Sequence, residues 1–172
     1  MLSELNGRPD ARILMIGEAP GRRGADRTRI PFTGDQSGRN LDAILAAAGL
    51  SRDELFITSA VLCCPEENGR NTRPTSAEIN NCQPFLKAVI ELVRPRVVAT
   101  LGGVGLDALG RLYGQRWKLA DVVATPIELD GFTLVPLYHP SPQVVITTRT
   151  LEQQKRDMIA LCRLANELGA RP

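Results

Sequence analysis

Few of the residue types that build metal centres, disulfide scaffolds or aromatic cores occur in this sequence. Of its 172 residues, 4 are cysteine and 1 is histidine, and aromatic residues make up only 4%. The cysteines, which form no C-x-x-C pair, are Cys63, Cys64, Cys82 and Cys162. Such spacing excludes a disulfide-rich secreted scaffold and a zinc site built on two C-x-x-C pairs. We therefore expect buried free thiols in a protein of a reducing compartment.

Long apolar runs and a strong charge of either sign are also lacking. No run is long enough to cross a bilayer, and no basic region followed by a hydrophobic one marks a secretory signal. We therefore expect a cytoplasmic protein without a membrane segment. The net charge of +2 neither requires nor excludes a polyanionic partner. A local cluster of arginines is more informative than the total charge. It is either part of a solvated loop or a contact for a polyanion, and it consists of Arg22, Arg23, Arg27 and Arg29.

What the chain does have is a regular alternation of strand and helix patterns. We predict strands over residues 12–17, 55–62, 96–101 and 132–138, and helices over 37–48, 76–93, 104–113 and 151–167. This alternation predicts an α/β fold in three layers, α/β/α, with a central four-stranded parallel sheet. The length suits a single domain over residues 1–172. We expect a loop at 65–74 and poorly ordered ends at 1–11 and 169–172.

A glycine-rich loop, residues 17–38, lies between the first predicted strand and the first predicted helix. Ligands of open α/β sheets bind at the carboxyl ends of the strands, so this loop should meet the segments that follow Ser59 and begin at His139. The loop is neither a Walker A loop nor a dinucleotide fingerprint, because both glycine spacings are absent. We expect the N–H groups of Glu18 and Ala19 to point into this crevice. A tight turn without a ligand is the alternative.

Two rings are placed for contact with a ligand. His139 is the only histidine and directly follows an apolar strand. It is either a structural histidine or, as its place at the crevice favours, a side chain that donates a hydrogen bond to a developing anion. Phe32 lies in a polar loop. It is either a packing anchor for that loop or a surface on which a flat ligand stacks.

Together these segments resemble the uracil-DNA glycosylase superfamily, in particular its families 4 and 5. The resemblance runs from about Ile13 to Leu161. Residues 17–21 look like the first motif of family 4, whereas residues 24–38 look more like family 5. The matching segments stand in the order of the family: Gly17-Glu18-Ala19-Pro20-Gly21, Phe32-Thr33-Gly34-Asp35-Gln36-Ser37-Gly38, Phe56-Ile57-Thr58-Ser59-Ala60-Val61 with Cys64-Pro65 and Cys82-Gln83-Pro84-Phe85-Leu86, and His139-Pro140-Ser141-Pro142.

The resemblance implies a DNA glycosylase of base excision repair that flips a base out of DNA and hydrolyses its glycosidic bond. It implies base-binding positions at Gly17, Ala19, Phe32 and Ser59. The backbone N–H groups near residues 18 and 19, together with His139, would stabilise the negative charge on the departing base. A carboxylate near the sugar would stabilise the cation that forms there and orient a water.

Two carboxylates are candidates for that acid. Ala19 stands where the best-known members carry a catalytic aspartate, Asp35 matches an acid of family 5, and Glu18 matches a functional glutamate of family 4. We take Asp35 as the main acid and Glu18 as a supporting or pocket-shaping one. No lysine falls in a matched motif, so no Schiff base with the sugar is expected. The resemblance therefore implies a monofunctional glycosylase without strand cleavage.

Two positions depart from the family pattern. Ser59 stands where family 4 carries an asparagine and family 5 usually an alanine, and one hydroxyl discriminates a base edge less well than an amide. Uracil in mismatches or single strands should then be accepted first, with hypoxanthine or xanthine as further substrates. Gln143 occupies the place of the leucine that wedges into the duplex, and apolar neighbours could take over that role. The DNA-binding residues that the resemblance implies are Ser141, Pro142, Gln143, Arg22 and Arg23.

Families 4 and 5 hold a 4Fe–4S cluster on four cysteines. Cys64 and Cys82 match the last two ligands, but residues 1–12 contain no cysteine. We therefore expect no metal and no cofactor, and a monomer that acts on DNA containing deaminated bases. A non-catalytic nucleic-acid-binding member of the superfamily is the main alternative, and a hydrolase of small nucleotides is another.

Overall fold

A mostly parallel five-stranded sheet lies at the centre of the structure, a computed structural model that describes residues 2–169. The strands are β1 Ile13–Gly17, β2 Leu55–Ser59, β3 Glu66–Glu67, β4 Arg70–Asn71, β5 Val97–Leu101, β6 Ile127–Leu129 and β7 Phe132–Leu137. The order across the sheet is β2-β1-β5-β7-β6, in which β6 alone runs antiparallel to its neighbour. Strands β3 and β4 form a separate two-stranded hairpin.

Helices cover both faces of the sheet. They are α1 Ala25–Thr28, α2 Gln36–Ala47, α3 Ser76–Val93, α4 Gly103–Leu112, α5 Leu119–Val122, α6 Pro142–Thr147 and α7 Leu151–Gly169, with single 3₁₀ turns at Glu4–Asn6 and Arg52–Glu54. The start of α3 is the capping box that its sequence predicts, because Thr75 Oγ1 accepts from the Glu78 amide and the Glu78 carboxylate accepts from the Thr75 amide.

The two faces of β1 show why the sheet is buried on both sides. Leu14 and Ile16 pack into the core formed with α3 and α4, whereas Ile13 and Met15 pack into the core formed with α2 and α7. Successive side chains of a strand point to opposite faces, so a continuously apolar strand needs cover on each. The predicted three-layer α/β/α architecture is therefore confirmed.

The predicted number of strands is wrong by one. The four predicted strands are the parallel ones, β1, β2, β5 and β7, but β6 adds a fifth, antiparallel strand at the edge beside β7. It has only three residues, too few for an alternating pattern to stand out in the sequence. The strand predicted over 55–62 also ends earlier, at Ser59.

Two segments expected to be irregular are ordered. Residues 2–11 contain the turn Glu4–Asn6, and buried Asn6 donates from Nδ2 to the Ile57 carbonyl at 2.7 Å, which ties this segment to β2. The expectation of a poorly ordered start is wrong there because a long-range contact satisfies a buried polar group. The loop at 65–74 contains the hairpin β3–β4. Residue 1 and residues 170–172 lie outside the described residues.

None of the helices in the described part of the chain combines the length and the apolar character needed to cross a membrane.

Candidate active site

A cleft of about 640 Å³ opens at the carboxyl ends of the parallel strands. Three loops meet there, those that follow β1, β2 and β7, as the strand directions predict. Eight residues singled out from the sequence line it: Glu18, Ala19, Phe32, Asp35, Ser59, His139, Ser141 and Gln143. Eight of the twelve residues predicted for catalysis, base binding or DNA binding therefore lie in one cleft.

One wall of the cleft consists of two rings. The Phe32 and His139 ring centroids are 5.5 Å apart, with planes tilted by 38°. Gly17 lies directly behind Phe32, because a Cβ on Gly17 would come within 2.8 Å of the Phe32 ring. A glycine at position 17 therefore lets the edge of the Phe32 ring approach the end of β1, while Phe32 lines the cleft.

His139 is kept neutral by its surroundings. Partial burial lowers its pKa from the ordinary value to about 4, although the nearby charge of Asp35 acts in the opposite direction. Gly102 allows the close approach of this side chain, since a Cβ there would lie 3.2 Å from the His139 Cβ. A neutral imidazole near pH 7 has one N–H to donate and carries no charge that would need desolvation.

Asp35 is the N-cap of α2. Its Oδ1 accepts a hydrogen bond from the Gly38 amide at 2.9 Å, and its Oδ2 lies so close to Gly24 that a Cβ there would come within 2.4 Å. The positive end of the helix stabilises the negative charge of this half-buried carboxylate. The residue therefore places one anchored carboxylate at the edge of the cleft.

Glu18 occupies a different environment from Asp35. Burial raises the pKa of its carboxyl, and the charge of Arg73 lowers it by less. Its backbone is fixed by the Val61 amide, which donates to the Glu18 carbonyl at 3.1 Å. Within residues 2–169, the amides of Glu18 and Ala19 donate no hydrogen bond to another protein group. Both remain available to a ligand oxygen in the cleft.

The loop that follows His139 is held by a residue that the sequence analysis missed. Asn40 is buried on α2 and donates from Nδ2 to the Pro140 carbonyl at 2.8 Å. Asn40 stands four residues before Ile44, on the apolar stripe of the helix, so a polar residue inside that stripe was the available signal. Ser141 then caps α6, which begins at Pro142 and carries Gln143 into the cleft.

The two arginines predicted to contact DNA lie outside the cleft lining. Arg22 is bound to the hairpin β3–β4, with Nε 3.3 Å from Glu66 Oε2 and Nη1 donating to the Gly69 carbonyl at 3.1 Å. Its amide also donates to Asn71 Oδ1 at 3.0 Å. Arg23 is exposed beside it. Arg22 therefore connects the glycine-rich loop to the hairpin.

The cysteines do not offer the donor set of an iron–sulfur cluster. All four are free, and residues 2–169 hold no group of three or more His, Cys, Asp or Glu side chains arranged to bind a metal ion. Cys64 Sγ instead lies 3.7 Å from Asn71 Oδ1, and burial raises its thiol pKa. A four-thiolate cluster does not fit the described residues.

The comparison with protein families decides the family of the chain. Residues 6–162, nearly all of the chain, match the family described as "Uracil DNA glycosylase superfamily". The chain belongs to this superfamily. The resemblance read from the motifs is thereby confirmed.

Relatives within the superfamily come from the two families whose motifs the chain combines. A Type-5 uracil-DNA glycosylase of Pyrobaculum aerophilum is 37% identical over 156 residues, which cover 81% of this chain and 66% of the relative. A Type-4 uracil-DNA glycosylase of Thermotoga maritima is 35% identical over 136 residues, covering 78% and 67%. A Type-5 enzyme of Thermus thermophilus is 39% identical over 123 residues, covering 64% and 54%. The matches span about half to two thirds of these relatives.

Proposed function

We propose that the protein is a monofunctional DNA glycosylase that removes uracil from DNA by hydrolysing the N-glycosidic bond, in base excision repair. One observation carries this proposal: the cleft combines an aromatic ring, a neutral histidine and two carboxylates in different environments. Membership of the superfamily and relatives named uracil-DNA glycosylase support the same activity.

A flipped base would stack on Phe32. A base inside a duplex is out of reach of any side chain, so the nucleotide must leave the stack, and contacts in the pocket offset part of the lost stacking. Stacking on an aromatic ring is worth roughly 1–3 kcal/mol per base. The cleft, about 640 Å³, is within the size range of small-ligand sites.

The departing base would receive its hydrogen bonds from neutral donors. When the bond between C1′ and the base nitrogen breaks, the electron pair stays on the base and negative charge develops on its oxygen. We assign the role of donor to the Glu18 and Ala19 amides and the neutral His139 imidazole, since all three residues line the cleft and the two amides donate to no other group in residues 2–169. Removing one donor of this kind typically costs about 3 kcal/mol of transition-state stabilisation.

The sugar would be served by a carboxylate. We assign this role to Asp35, which stabilises the cationic C1′ and accepts a proton from the attacking water. An abasic site forms, and the base anion takes up a proton from solvent to become the free base, while Asp35 returns its proton to solvent. Glu18 supports Asp35 from a site in which burial raises the pKa of the Glu18 carboxyl. No lysine lines the cleft within the described residues, in keeping with a reaction without a Schiff base.

Ser59 is the proposed reader of the base edge. It is the last residue of β2 and lines the cleft, with Oγ 3.6 Å from the position of a Cβ on Gly17. A single hydroxyl can rotate to donate or to accept, so it tolerates more than one pattern of base groups. We infer a preference for uracil with activity on hypoxanthine or xanthine.

The DNA surface would include the start of α6 and the arginine loop. Gln143, which follows Ser141 and Pro142, stands at the position that the resemblance implies for the wedge, and Arg22 and Arg23 lie within the glycine-rich loop. On the same short helix, Ile146 is 81% exposed, which is unusual for a large apolar side chain. We assign the wedge to Ile146, because apolar side chains commonly insert between base steps.

The deciding experiment incubates the protein with single-stranded and double-stranded oligonucleotides that contain uracil, followed by alkali. Strand breaks at the uracil position only after alkali are expected. Retardation in a gel without breaks would instead establish the non-catalytic binding member. Activity on free nucleosides and none on DNA would establish a small-nucleotide hydrolase.

The proposal extends to the state of the protein. We infer a monomer in the cytoplasm, with residues 1–172 as one domain and without a bound cofactor. Chromatography with light scattering tests the monomer, and trapping of a borohydride-reducible adduct on DNA would contradict the monofunctional assignment.

A further inference from the structure

One arginine outside every sequence motif holds the backbone of the stacking residue. Arg52 opens the 3₁₀ turn between α2 and β2. Its Nη1 donates to the Pro31 carbonyl at 2.9 Å and its Nη2 to the Phe32 carbonyl at 2.7 Å. Its Nε donates to Asp42 Oδ1 on α2 at 2.8 Å. Three nitrogens of one guanidinium thus reach three different acceptors.

The segment that Arg52 holds is strained. Phe32 has a φ of +53°, in the left-handed region that bulky residues avoid. Such a conformation is unfavourable and persists only when the surroundings impose it. The Phe32 carbonyl is also enclosed on its other side, because a Cβ on Gly38 would lie 2.2 Å from its oxygen. Arg52 and the first turn of α2 therefore fix the direction of this peptide group.

We propose that Arg52 is a positioning residue for base binding, which acts through Phe32. By holding the two carbonyls it keeps the Phe32 ring against Gly17 and beside His139, where it lines the cleft. The planar guanidinium suits two adjacent carbonyls and one carboxylate at once, whereas a lysine offers a single flexible point charge. This inference rests on the proposed function of the cleft.

The test compares Arg52→Met and Arg52→Lys with a matched control, Arg111→Met. Arg111 is 30% exposed, against 28% for Arg52, and it also pairs with a carboxylate, Asp107, at 2.8 Å. Its remaining partners, Ser76 and Asn80, lie away from the cleft lining. Both methionine variants should lose similar thermal stability.

Only the Arg52 variants should lose excision of uracil. We expect kcat/KM on uracil-containing DNA to fall roughly 10- to 100-fold for Arg52→Met, with little recovery in Arg52→Lys, because small misplacements of a binding group are costly. Arg111→Met should stay within about two-fold of the parent protein. Equal losses in Arg52→Met and Arg111→Met would overturn the proposal.

A double-mutant cycle tests the route through Phe32. If Arg52 acts by placing that ring, Arg52→Met should add little to the loss already caused by Phe32→Ala, and the two effects should be strongly non-additive. A purely structural arginine would lower activity by the same factor in both backgrounds. Additive losses would therefore contradict a positioning role.

Hydrogen exchange separates this inference from the proposed function. Amides of residues 28–38 should exchange faster in Arg52→Met than in the parent or in Arg111→Met, whether or not the protein cleaves DNA. Unchanged exchange would overturn the inference by itself. A parent protein that excises no uracil would refute the proposed function, and the exchange result would then decide whether Arg52 holds the Phe32 segment.

Discussion

Single residues in the cleft differ in chemistry because their surroundings differ. Glu18 and Asp35 are both half-buried carboxylates at its edge. Burial raises the pKa of Glu18, whereas Asp35 accepts a hydrogen bond from the Gly38 amide at the start of a helix. Two carboxyl groups in such different surroundings can take different roles in one reaction.

Substitution of each carboxylate tests this division of tasks. Asp35→Asn should lower kcat for uracil excision roughly 100-fold or more, because the charge beside C1′ is lost. Asparagine is as good an N-cap as aspartate, so the melting temperature should hardly change. Glu18→Gln should have the smaller effect on kcat. Near-native excision by Asp35→Asn together with an inactive Glu18→Gln would reverse the assignment.

The pH dependence of stability should report on His139. Its pKa in the folded protein is about 4, below the value of 6.5 expected in the unfolded chain. Below pH 6.5 the unfolded chain binds a proton at this residue, whereas the folded protein does not. The free energy of unfolding therefore falls between pH 6.5 and about 4 and then levels off. The effect is about 3 kcal/mol, and denaturant unfolding at several pH values should show it in the parent but not in His139→Asn.

Excision itself should be insensitive to this titration near neutrality. His139 stays neutral down to about pH 4, so its titration should not affect kcat/KM near pH 6.5. The pH profile of the parent should therefore contain no inflection at pH 6.5 that is absent from the profile of His139→Asn. Such an inflection would mean that a charged imidazole is the active form.

At the scale of elements, α2 connects the separate parts of the cleft. Its N-cap is Asp35, its residue Asp42 pairs with Arg52, and its residue Asn40 holds the Pro140 carbonyl beside His139. The carboxylate, the stacking ring and the histidine loop therefore all depend on the position of one helix. This helix packs in turn against the face of the sheet that it shares with α7.

Asn40→Ala should weaken this connection. The Pro140 carbonyl would lose its partner inside the protein, which costs about 1–3 kcal/mol. We expect a lower melting temperature and a kcat reduced at least several-fold, because the loop that carries His139 is no longer fixed. Gln36→Ala is the matched control, since Gln36 contacts Asn40 from the exposed side and touches no backbone of that loop. Equal effects of both changes would argue against this role of Asn40.

Helix α6 carries the proposed wedge, Ile146, and a negative charge at this position should weaken binding to duplex DNA. Ile146→Asp should raise KM for double-stranded uracil DNA by about ten-fold or more and change KM for single strands less, because only the duplex has a gap to fill. Leu92→Asp on α3 is the control, as Leu92 is also largely exposed, at 66%, and lies outside the cleft lining. An unchanged KM for the duplex in Ile146→Asp would show that Ile146 is not the wedge, and Gln143 or another neighbour would then take that role.

At the scale of the whole molecule, the fold places all reactive groups at one edge. Four parallel strands end on the same side of the sheet, and two apolar cores, one on each face, hold their directions fixed. The hairpin β3–β4 is joined to the glycine-rich loop by Arg22 and Asn71. The sheet is therefore a rigid support on which the loops can differ in sequence without a change of fold.

Metal analysis tests the molecule as a whole. The described residues offer no four-thiolate site, so the purified protein should contain less than about 0.1 iron per chain and should not absorb near 400 nm. A chelator should leave its melting temperature unchanged, since no metal contributes to folding. A brown preparation with stoichiometric iron would contradict this prediction.

Much of the architecture followed from local pattern. The four parallel strands were predictable from apolar runs of five or more residues, and the four long helices from the helical spacing of their apolar residues. The edge strand β6 and the hairpin β3–β4 escaped, since segments of three and two residues carry almost no periodicity. The ordered turn at Glu4–Asn6 escaped because Asn6 is fixed by Ile57, 51 residues away.

The sequence alone determined the family and the chemical groups of the cleft. The motifs around Glu18, Phe32, Asp35 and His139 are continuous stretches of sequence, so both the motifs and their order can be recognised without a structure. Only the tertiary structure decided how these groups are held. The bonds from Arg52 to Phe32 and from Asn40 to Pro140 join residues 20 and 100 positions apart. Contacts of this kind follow from how the helices pack on the sheet, and they leave no periodic or spacing signal in the chain.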